Sequence, residues 1–121
     1  MAIKFKTPEV EKEYYQLPVH NARLSRLLHA LEIFCDLELG KPVVITEIYR
    51  SAEENAKQGG IPNSPHLNWE GLDIRSTIYT EPEIERIKAF LNTFKFRNGK
   101  QVAVYHAVPG GAFHFHIQYA K

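Results

Sequence analysis

The sequence predicts an α+β fold in which helices pack on one side of a small, mostly antiparallel sheet. Segments with apolar residues at spacings of three and four alternate along the chain with short runs rich in β-branched residues. Residues 101–120 contain two alternating segments around a Pro-Gly-Gly turn, which is typical of an antiparallel hairpin. A length of 121 residues with 44% hydrophobic residues suits one domain, residues 1–121, with a single core.

The first two predicted elements are helices. Residues 7–17 begin with Thr7 as the N-cap and Pro8 at the first helical position, and acidic residues follow in the first turn. Residues 21–40 carry apolar side chains at spacings of three and four, which predicts an amphipathic helix that stops at Gly40.

A strand, a short helix and a loop follow. Residues 41–50 are rich in β-branched side chains and predict a strand. Residues 51–60 start with the capping-box pair Ser51 and Glu54 and end on two glycines, which predicts a short helix. The loop then leads into a predicted strand at residues 71–76.

In this strand Leu72 and Ile74 lie on one face and Asp73 lies on the other, because strand side chains alternate. Residues 80–94 begin with a further capping signal and predict another helix. The apolar stripe of that helix consists of Ile84, Ile87, Phe90, Leu91 and Phe94.

The C-terminal strand alternates strictly between an apolar and a polar face. Its predicted core face consists of Phe113, Phe115, Ile117 and Tyr119. His114 and His116 therefore project together from the opposite face, as Asp73 does from its own strand.

The composition of the chain excludes several classes of function. The formal net charge of +1 argues against a general nucleic-acid or membrane-surface binder, since those proteins usually carry a basic excess. Cys35 is the single cysteine and lies in an apolar helical stripe, so we expect a buried structural thiol rather than a nucleophile. The stretch MAIKFKTPEVEKEYYQ has no apolar run long enough for a signal peptide or membrane span, and we expect cytoplasmic synthesis.

A candidate metal site emerges if the polar faces of the two strands lie close together. His66, Asp73 and one of the paired histidines, His114 or His116, could then surround an ion. Two imidazoles and a carboxylate are a common ligand set for catalytic zinc and leave a fourth position for water. The alternative interpretation is that the paired histidines are exposed cross-strand neighbours and that Asp73 pairs with Arg75.

Arg50 stands between a predicted strand and the start of a predicted helix. A cation at a helix N-terminus is electrostatically disfavoured, so we expect Arg50 to have an anionic partner elsewhere. That partner is either a ligand carboxylate or one of the glutamates of the protein.

Residues 43–74, VVITEIYRSAEENAKQGGIPNSPHLNWEGLDI, resemble the central segment of the zinc D-alanyl-D-alanine carboxypeptidases and related peptidoglycan peptidases, which share a fold with the hedgehog signalling domain. In that family a strand leads to a Tyr-Arg-Ser turn, an asparagine, a glycine pair and a Ser-x-His segment, with an aspartate seven positions after the histidine. The matching residues are Tyr49, Arg50, Ser51, Asn55, Gly59, Gly60, Ser64, His66, Asp73 and the His114–His116 segment.

The resemblance implies one zinc ion per chain, bound by His66, Asp73 and His116. It implies that His114 hydrogen-bonds the polarised carbonyl oxygen or its tetrahedral intermediate, and that Arg50 holds a substrate carboxylate or carbonyl. Ser64 is implied to line the substrate cleft or orient its loop. The implied activity is hydrolysis of an amide bond in peptidoglycan stem peptides, as a carboxypeptidase or endopeptidase. We expect a monomer.

Several positions depart from the family pattern. Trp69 and Gly71 stand where the family usually has glycine and alanine, and Trp69 is expected to narrow or cover the substrate cleft unless the loop runs differently. Glu47 and Ile48 replace a Ser-Gly pair. The acid that many members carry shortly before the last ligand is missing, which leaves His114 as the candidate general base.

Two alternatives follow from the same residues. One is a non-catalytic, metal-stabilised domain that binds cell-wall peptide or a protein partner, which the missing acid and Trp69 favour. The other is an iron oxygenase, which also uses two histidines and a carboxylate. Such sites often place the first histidine and the carboxylate two apart on one strand, whereas His66 and Asp73 are seven apart.

A small peptidase with the implied activity suits a phage-encoded protein or one released to the cell wall by another route.

Overall fold

The computed structural model describes residues 3–57, 59, 64–94, 103–107 and 113–119. The elements in chain order are β1 (Ile3–Phe5), α1 (Pro8–His20), α2 (Ala22–Phe34), β2 (Val43–Glu47), α3 (Ala52–Lys57), β3 (Gly71–Arg75), α4 (Glu81–Leu91), β4 (Ala103–Ala107) and β5 (Phe113–Gln118). A π-helical turn (Cys35–Leu39) extends α2, and a 3₁₀ turn (Pro65–Asn68) precedes β3.

The strands form one five-stranded sheet in the order β1-β2-β3-β5-β4. β1 pairs with β2 in parallel, and the other three pairs are antiparallel. This arrangement confirms the predicted α+β class with a mostly antiparallel sheet. It also puts β3 between β2 and β5, so that two separate parts of the chain flank Asp73.

The helices begin where their N-capping residues predict. The Thr7 hydroxyl accepts a hydrogen bond from Val10 N at 3.2 Å, and Ser51 Oγ accepts one from Glu54 N at 3.1 Å. Gly40 closes the π-helical turn in the left-handed region at φ 65°, a conformation that glycine adopts without a steric penalty. α4 carries a complete capping box.

Apolar residues of α1, α2 and α4 pack against one face of the sheet. The buried side chains include Leu17, Leu24, Leu28, Leu31, Ile84, Ile87 and Leu91 from the helices, and Val43, Ile45, Leu72, Ile74, Phe115 and Ile117 from the strands. Each fully buried side chain of this size contributes about 1.5–3 kcal/mol to stability. The predicted core faces of β3 and β5 are thereby confirmed for these residues, while the side chain of Phe113 and the predicted turn at residues 109–111 lie outside the described residues.

Three features of the fold differ from the sequence-based expectation. β1 was not expected, because three residues give no periodicity, and its pairing with β2 is non-local. α1 continues through Pro18 to His20, beyond the predicted end at residue 17. Phe94 is 37% exposed, because α4 stops at Leu91 and its apolar stripe does not extend a further turn.

Asn21 joins three parts of the structure at the corner between α1 and α2. Its Oδ1 accepts a hydrogen bond from Leu24 N at 3.1 Å and so caps α2. Its Nδ2 donates to Trp69 O at 3.0 Å and to Tyr119 O at 2.8 Å. Because Asn21 is buried, these bonds tie the loop before β3 and the end of β5 to the helical layer.

None of the helices in the described residues is long and apolar enough to cross a membrane.

Cys35 is fully buried, as predicted, and burial raises the pKa of its thiol to about 11, although a hydrogen bond from Tyr79 opposes the shift. At pH 8 roughly one thiol in a thousand is then ionised, and the thiolate is the reactive form. We expect an aromatic disulfide reagent to modify the native protein at least about a hundredfold more slowly than the denatured protein. Absorbance of the released thiolate measures both rates, and equal rates would contradict the buried position.

Candidate metal centre

The register of the sheet places three polar side chains in one row. Asp73 of β3 lies opposite Glu47 of β2 on one side and opposite His116 of β5 on the other. Directly opposed residues project from the same face of a sheet, so Asp73 and His116 share the face away from the helical core. Glu47 follows a register irregularity in β2, and its Oε1 reaches the same cluster, 3.7 Å from His66 Nδ1. His114 lies two residues before His116 on β5 and shares its face.

His66 reaches this row from the 3₁₀ turn. Ser64 Oγ accepts a hydrogen bond from His66 N at 3.4 Å and caps the turn. The His66 ring donates from Nδ1 to the carbonyl oxygen of Ile48 at 2.9 Å, because a carbonyl can only accept. This bond directs Nε2 toward Asp73, with 3.2 Å between Nε2 and Oδ1.

Asp73 is the centre of the cluster. Its Oδ1 also lies 3.0 Å from His116 Nδ1, and its Oδ2 lies 3.6 Å from His114 Nε2. Burial favours the neutral acid, but the hydrogen bonds from His116 and His66 outweigh it and hold the pKa of Asp73 well below its usual value. Burial likewise lowers the pKa of His66, yet the hydrogen bond and charge of Asp73 raise it overall above the ordinary value.

The donor set fits a tetrahedral metal ion. One donor atom each from His66, Asp73 and His116 lies within 4.8 Å of the other two. Ligands about 2.1 Å from a tetrahedral ion are about 3.4 Å apart. The 3.2 Å and 3.0 Å distances from Asp73 Oδ1 to the two imidazole nitrogens are close to that spacing. Metal binding would replace the ring protons that these nitrogens share with the carboxylate.

Arg50 follows β2 and lies beside the His66 turn, to which it is linked by a hydrogen bond from Arg50 N to His66 O at 3.2 Å. Its guanidinium donates from Nη1 to Asn55 Oδ1 at 2.8 Å and from Nη2 to Glu47 Oε1. The anionic partner expected from the sequence is thus a glutamate of the protein. Nε of Arg50 is buried and has no hydrogen-bond partner among the described residues.

Trp69 ends the 3₁₀ turn and stacks against two aromatic rings. Its centroid lies 4.0 Å from that of His20 and 4.9 Å from that of Tyr49, with interplanar angles of 8° and 19°. Its backbone has φ 59°, in the left-handed region that favours glycine. The indole is therefore held by α1 and by the residue before Arg50, and sequence reasoning did not identify His20 or this packing.

A family model described as Peptidase M15 matches residues 5–107. The chain belongs to the peptidase M15 family. The match includes Arg50, His66 and Asp73 and ends before β5, which carries His116. Comparisons with curated proteins and with solved structures give no match.

Membership of the M15 family confirms the resemblance to the zinc D-alanyl-D-alanine carboxypeptidases at the level of the family and supports a metallopeptidase. The possible metal site of His66, Asp73 and His116 is consistent with that assignment. The residues that the sequence suggested for a site are thus brought together around Asp73, with Ser64 capping the turn, Arg50 next to it and Trp69 at its end.

Gly71 leaves the space that the His116 ring occupies in this M15 chain. A Cβ at residue 71 would lie 2.8 Å from His116 Cε1 and 2.8 Å from Pro65 Cβ. We expect Gly71→Ala to displace the ring, since overpacking of this kind costs roughly 1–3 kcal/mol. That cost corresponds to a decrease in metal affinity of about tenfold to a hundredfold, measurable by competition with a chromophoric chelator.

Gly40→Ala is the matched control. Gly40 has φ 65°, and no atom of the described residues lies within 4 Å of where an alanine Cβ would be, so alanine there strains the backbone without touching the site. We expect Gly40→Ala to lower the thermal midpoint and to leave metal affinity unchanged. Equal metal affinity in Gly71→Ala and the unsubstituted protein would show that His116 does not need this space.

Proposed function

We propose that this protein is a zinc-dependent peptidase that hydrolyses an amide bond in peptidoglycan stem peptides, as a D-Ala-D-Ala carboxypeptidase or an L,D-endopeptidase. One observation carries the proposal: donor atoms of His66, Asp73 and His116 lie within 4.8 Å of one another in a chain of the M15 family. We assign these three residues as the ligands of one zinc ion per chain.

The chemistry that zinc supplies in such sites is polarisation of a carbonyl oxygen and activation of water near neutral pH. The protein supplies the rigid ligands. Hydrogen bonding of His66 to Ile48 O fixes the ring and its tautomer, and pairing of Asp73 with His116 across the sheet fixes the other two side chains.

His114 is the proposed proton-transfer residue. Its ring shares the face of His116, and its Nε2 lies 3.6 Å from Asp73 Oδ2, which is too long for a direct hydrogen bond. In this role the imidazole accepts a proton from the attacking water and delivers it to the leaving amine. Residues 108–121 contain no acidic residue that could take this role instead.

Arg50, Ser64 and Trp69 are proposed to contact the substrate. Arg50 offers guanidinium N–H groups next to the His66 turn, where they can donate to a carbonyl of the bound peptide. Ser64 and Trp69 lie at the two ends of the 3₁₀ turn and would border the peptide on either side of His66. We propose a monomer that acts on cell-wall peptide, with no role for nucleic acid or membrane, and that reaches the wall as a phage-encoded or otherwise released protein.

The alternative is a metal-stabilised domain that binds cell-wall peptide or a protein partner without cleaving it. The observation that favours it is the engagement of both Arg50 Nη atoms by Asn55 and Glu47, together with the missing acid near β5. The two proposals differ in what His114 does, which makes this residue the most informative one to replace.

Metal content tests the ligand assignment. We expect about one zinc ion per chain in the protein purified without a histidine tag, and loss of that ion in His116→Ala, because a three-ligand site cannot hold zinc tightly with two. Elemental analysis after dialysis measures it. His29→Gln, which changes a histidine on α2 outside the cluster, is the control and should retain zinc. Absence of zinc from the unsubstituted protein, even after incubation with the metal, would contradict the proposal.

Hydrolysis tests the role of His114. We expect His114→Ala to retain zinc and to lower kcat on a stem peptide by about 10²–10⁴-fold, the usual contribution of a general acid–base residue. Chromatography of the released products measures the rate. Unchanged turnover in His114→Ala would reject its role in proton transfer, and absence of turnover by the zinc-loaded unsubstituted protein would favour the binding domain.

A further inference from the structure

We propose that Glu47 sets the charge selectivity of the site: it is a built-in counter-ion of Arg50, so that the site accepts a peptide with a neutral carbonyl at Arg50 and discriminates against a free terminal carboxylate. This inference rests on the proposed peptidase function and deepens it. It favours cleavage within a peptide, by an endopeptidase, over removal of a C-terminal residue.

The guanidinium of Arg50 already has partners within the protein. Its side chain is 12% exposed, and that of Glu47 is 23% exposed, so their ion pair is largely shielded from water. Both terminal nitrogens of the guanidinium are already engaged, Nη1 by Asn55 and Nη2 by Glu47. A bidentate interaction with an incoming carboxylate needs two such N–H groups side by side. A guanidinium has five N–H donors, so a carboxylate could still find two of them, but it would compete with Glu47 for the same positive charge. A neutral carbonyl needs a single N–H and leaves the ion pair in place.

The ion pair of Glu47 and Arg50 lies close to two of the proposed metal ligands. Glu47 lies opposite Asp73 in the sheet, and its Oε1 is 3.7 Å from His66 Nδ1. Arg50 N donates to His66 O. The ion pair therefore lies directly beside the proposed metal centre, where a peptide group next to the scissile bond would come.

Another acidic residue lies near the ion pair. A second carboxylate, that of Glu13, accepts a hydrogen bond from Tyr49 N at 3.2 Å, next to Arg50 in the chain. Burial raises the pKa of Glu13, and the charge of nearby Glu47 adds to that shift. Glu13 and Glu47 thus lie near each other at the end of β2, and an incoming carboxylate would meet a guanidinium that Glu47 already pairs with.

A pair of ligands that differ in one charge tests the selectivity. The ligands are an N-acetylated peptide ending in D-Ala-D-Ala as the free acid and the same peptide as the C-terminal amide. Binding to the zinc-loaded protein is followed by the fluorescence of Trp69, the single tryptophan of the sequence, which lies at the end of the His66 turn. Hydrolysis is followed in the same samples by chromatography.

We expect the unsubstituted protein to bind the amide at least about tenfold more tightly than the acid, and Glu47→Gln to reduce this ratio to about one or reverse it. The amide side chain of glutamine keeps the size and the hydrogen-bonding oxygen of Glu47 but not its charge. Glu53→Gln is the matched control, because it removes a charge from an exposed glutamate of α3. It should leave the ratio as in the unsubstituted protein, and zinc content verifies that each variant retains the site.

The outcomes separate this inference from the proposed function. Selectivity for the amide without hydrolysis would reject the peptidase and leave the role of Glu47 in place. Equal or tighter binding of the acid by the unsubstituted protein would overturn the inference even if Glu47→Gln does not fold. A ratio that Glu47→Gln leaves unchanged, or failure of both peptides to bind, would also overturn it.

Discussion

The buried carboxylate of Asp73 is the interaction on which the site and the centre of the sheet depend. A charged group that is withdrawn from water costs several kcal/mol unless hydrogen bonds and opposite charge compensate for it. Here His66 and His116 compensate, and they come from a loop turn and from β5, on either side of the β3 residue. Any change that moves one imidazole therefore leaves the buried carboxylate with only one of these two partners. Because the buried carboxylate needs these hydrogen bonds, the three side chains are held in fixed positions. They therefore form a rigid set of metal donors.

The parts of the site that follow from local periodicity were predictable. Side chains alternate between the two faces of a strand, so the sequence put His114 and His116 on one face of β5. In β3 the same alternation put Asp73 on one face and the apolar Leu72 and Ile74 on the other. The antiparallel pairing of β3 with β5 then made these faces coincide. The capped helices were predictable for the same reason, since a cap and its helix lie within a few residues.

The parts that depend on contacts distant in sequence were not predictable. β1 exists only because it pairs with β2, and the loop before β3 is held by Asn21, whose side chain bonds residues at sequence separations of 48 and 98. Asn21 could be recognised as an N-cap before an apolar helix, but its Nδ2 partners could not. In the sequence Glu47 is only a departure from the family pattern, and its pairing with Arg50 and its place opposite Asp73 emerge from the fold.

Trp69 shows how a departure from the family pattern is accommodated. Trp69 stands where the resemblance leads us to expect glycine, and its backbone at φ 59° lies in the left-handed region that favours glycine. A side chain in this region costs roughly 1–2 kcal/mol. Stacking on His20 and Tyr49 and the hydrogen bond from Asn21 to Trp69 O offset that cost. The ring thereby couples α1 to the turn that carries His66 and to the residue next to Arg50.

Glu47 is accommodated by a different compensation. Two carboxylates directly opposite each other on neighbouring strands repel, so Glu47 and Asp73 need compensating partners to share a row. Hydrogen bonds from His66 and His116 compensate for the burial of Asp73, and Arg50 pairs with Glu47, so each carboxylate of the row has its own partners. A serine at residue 47, as in the family pattern, would leave Arg50 available to an external anion. The glutamate therefore changes the charge that the protein presents next to the proposed metal without changing any of the proposed ligands.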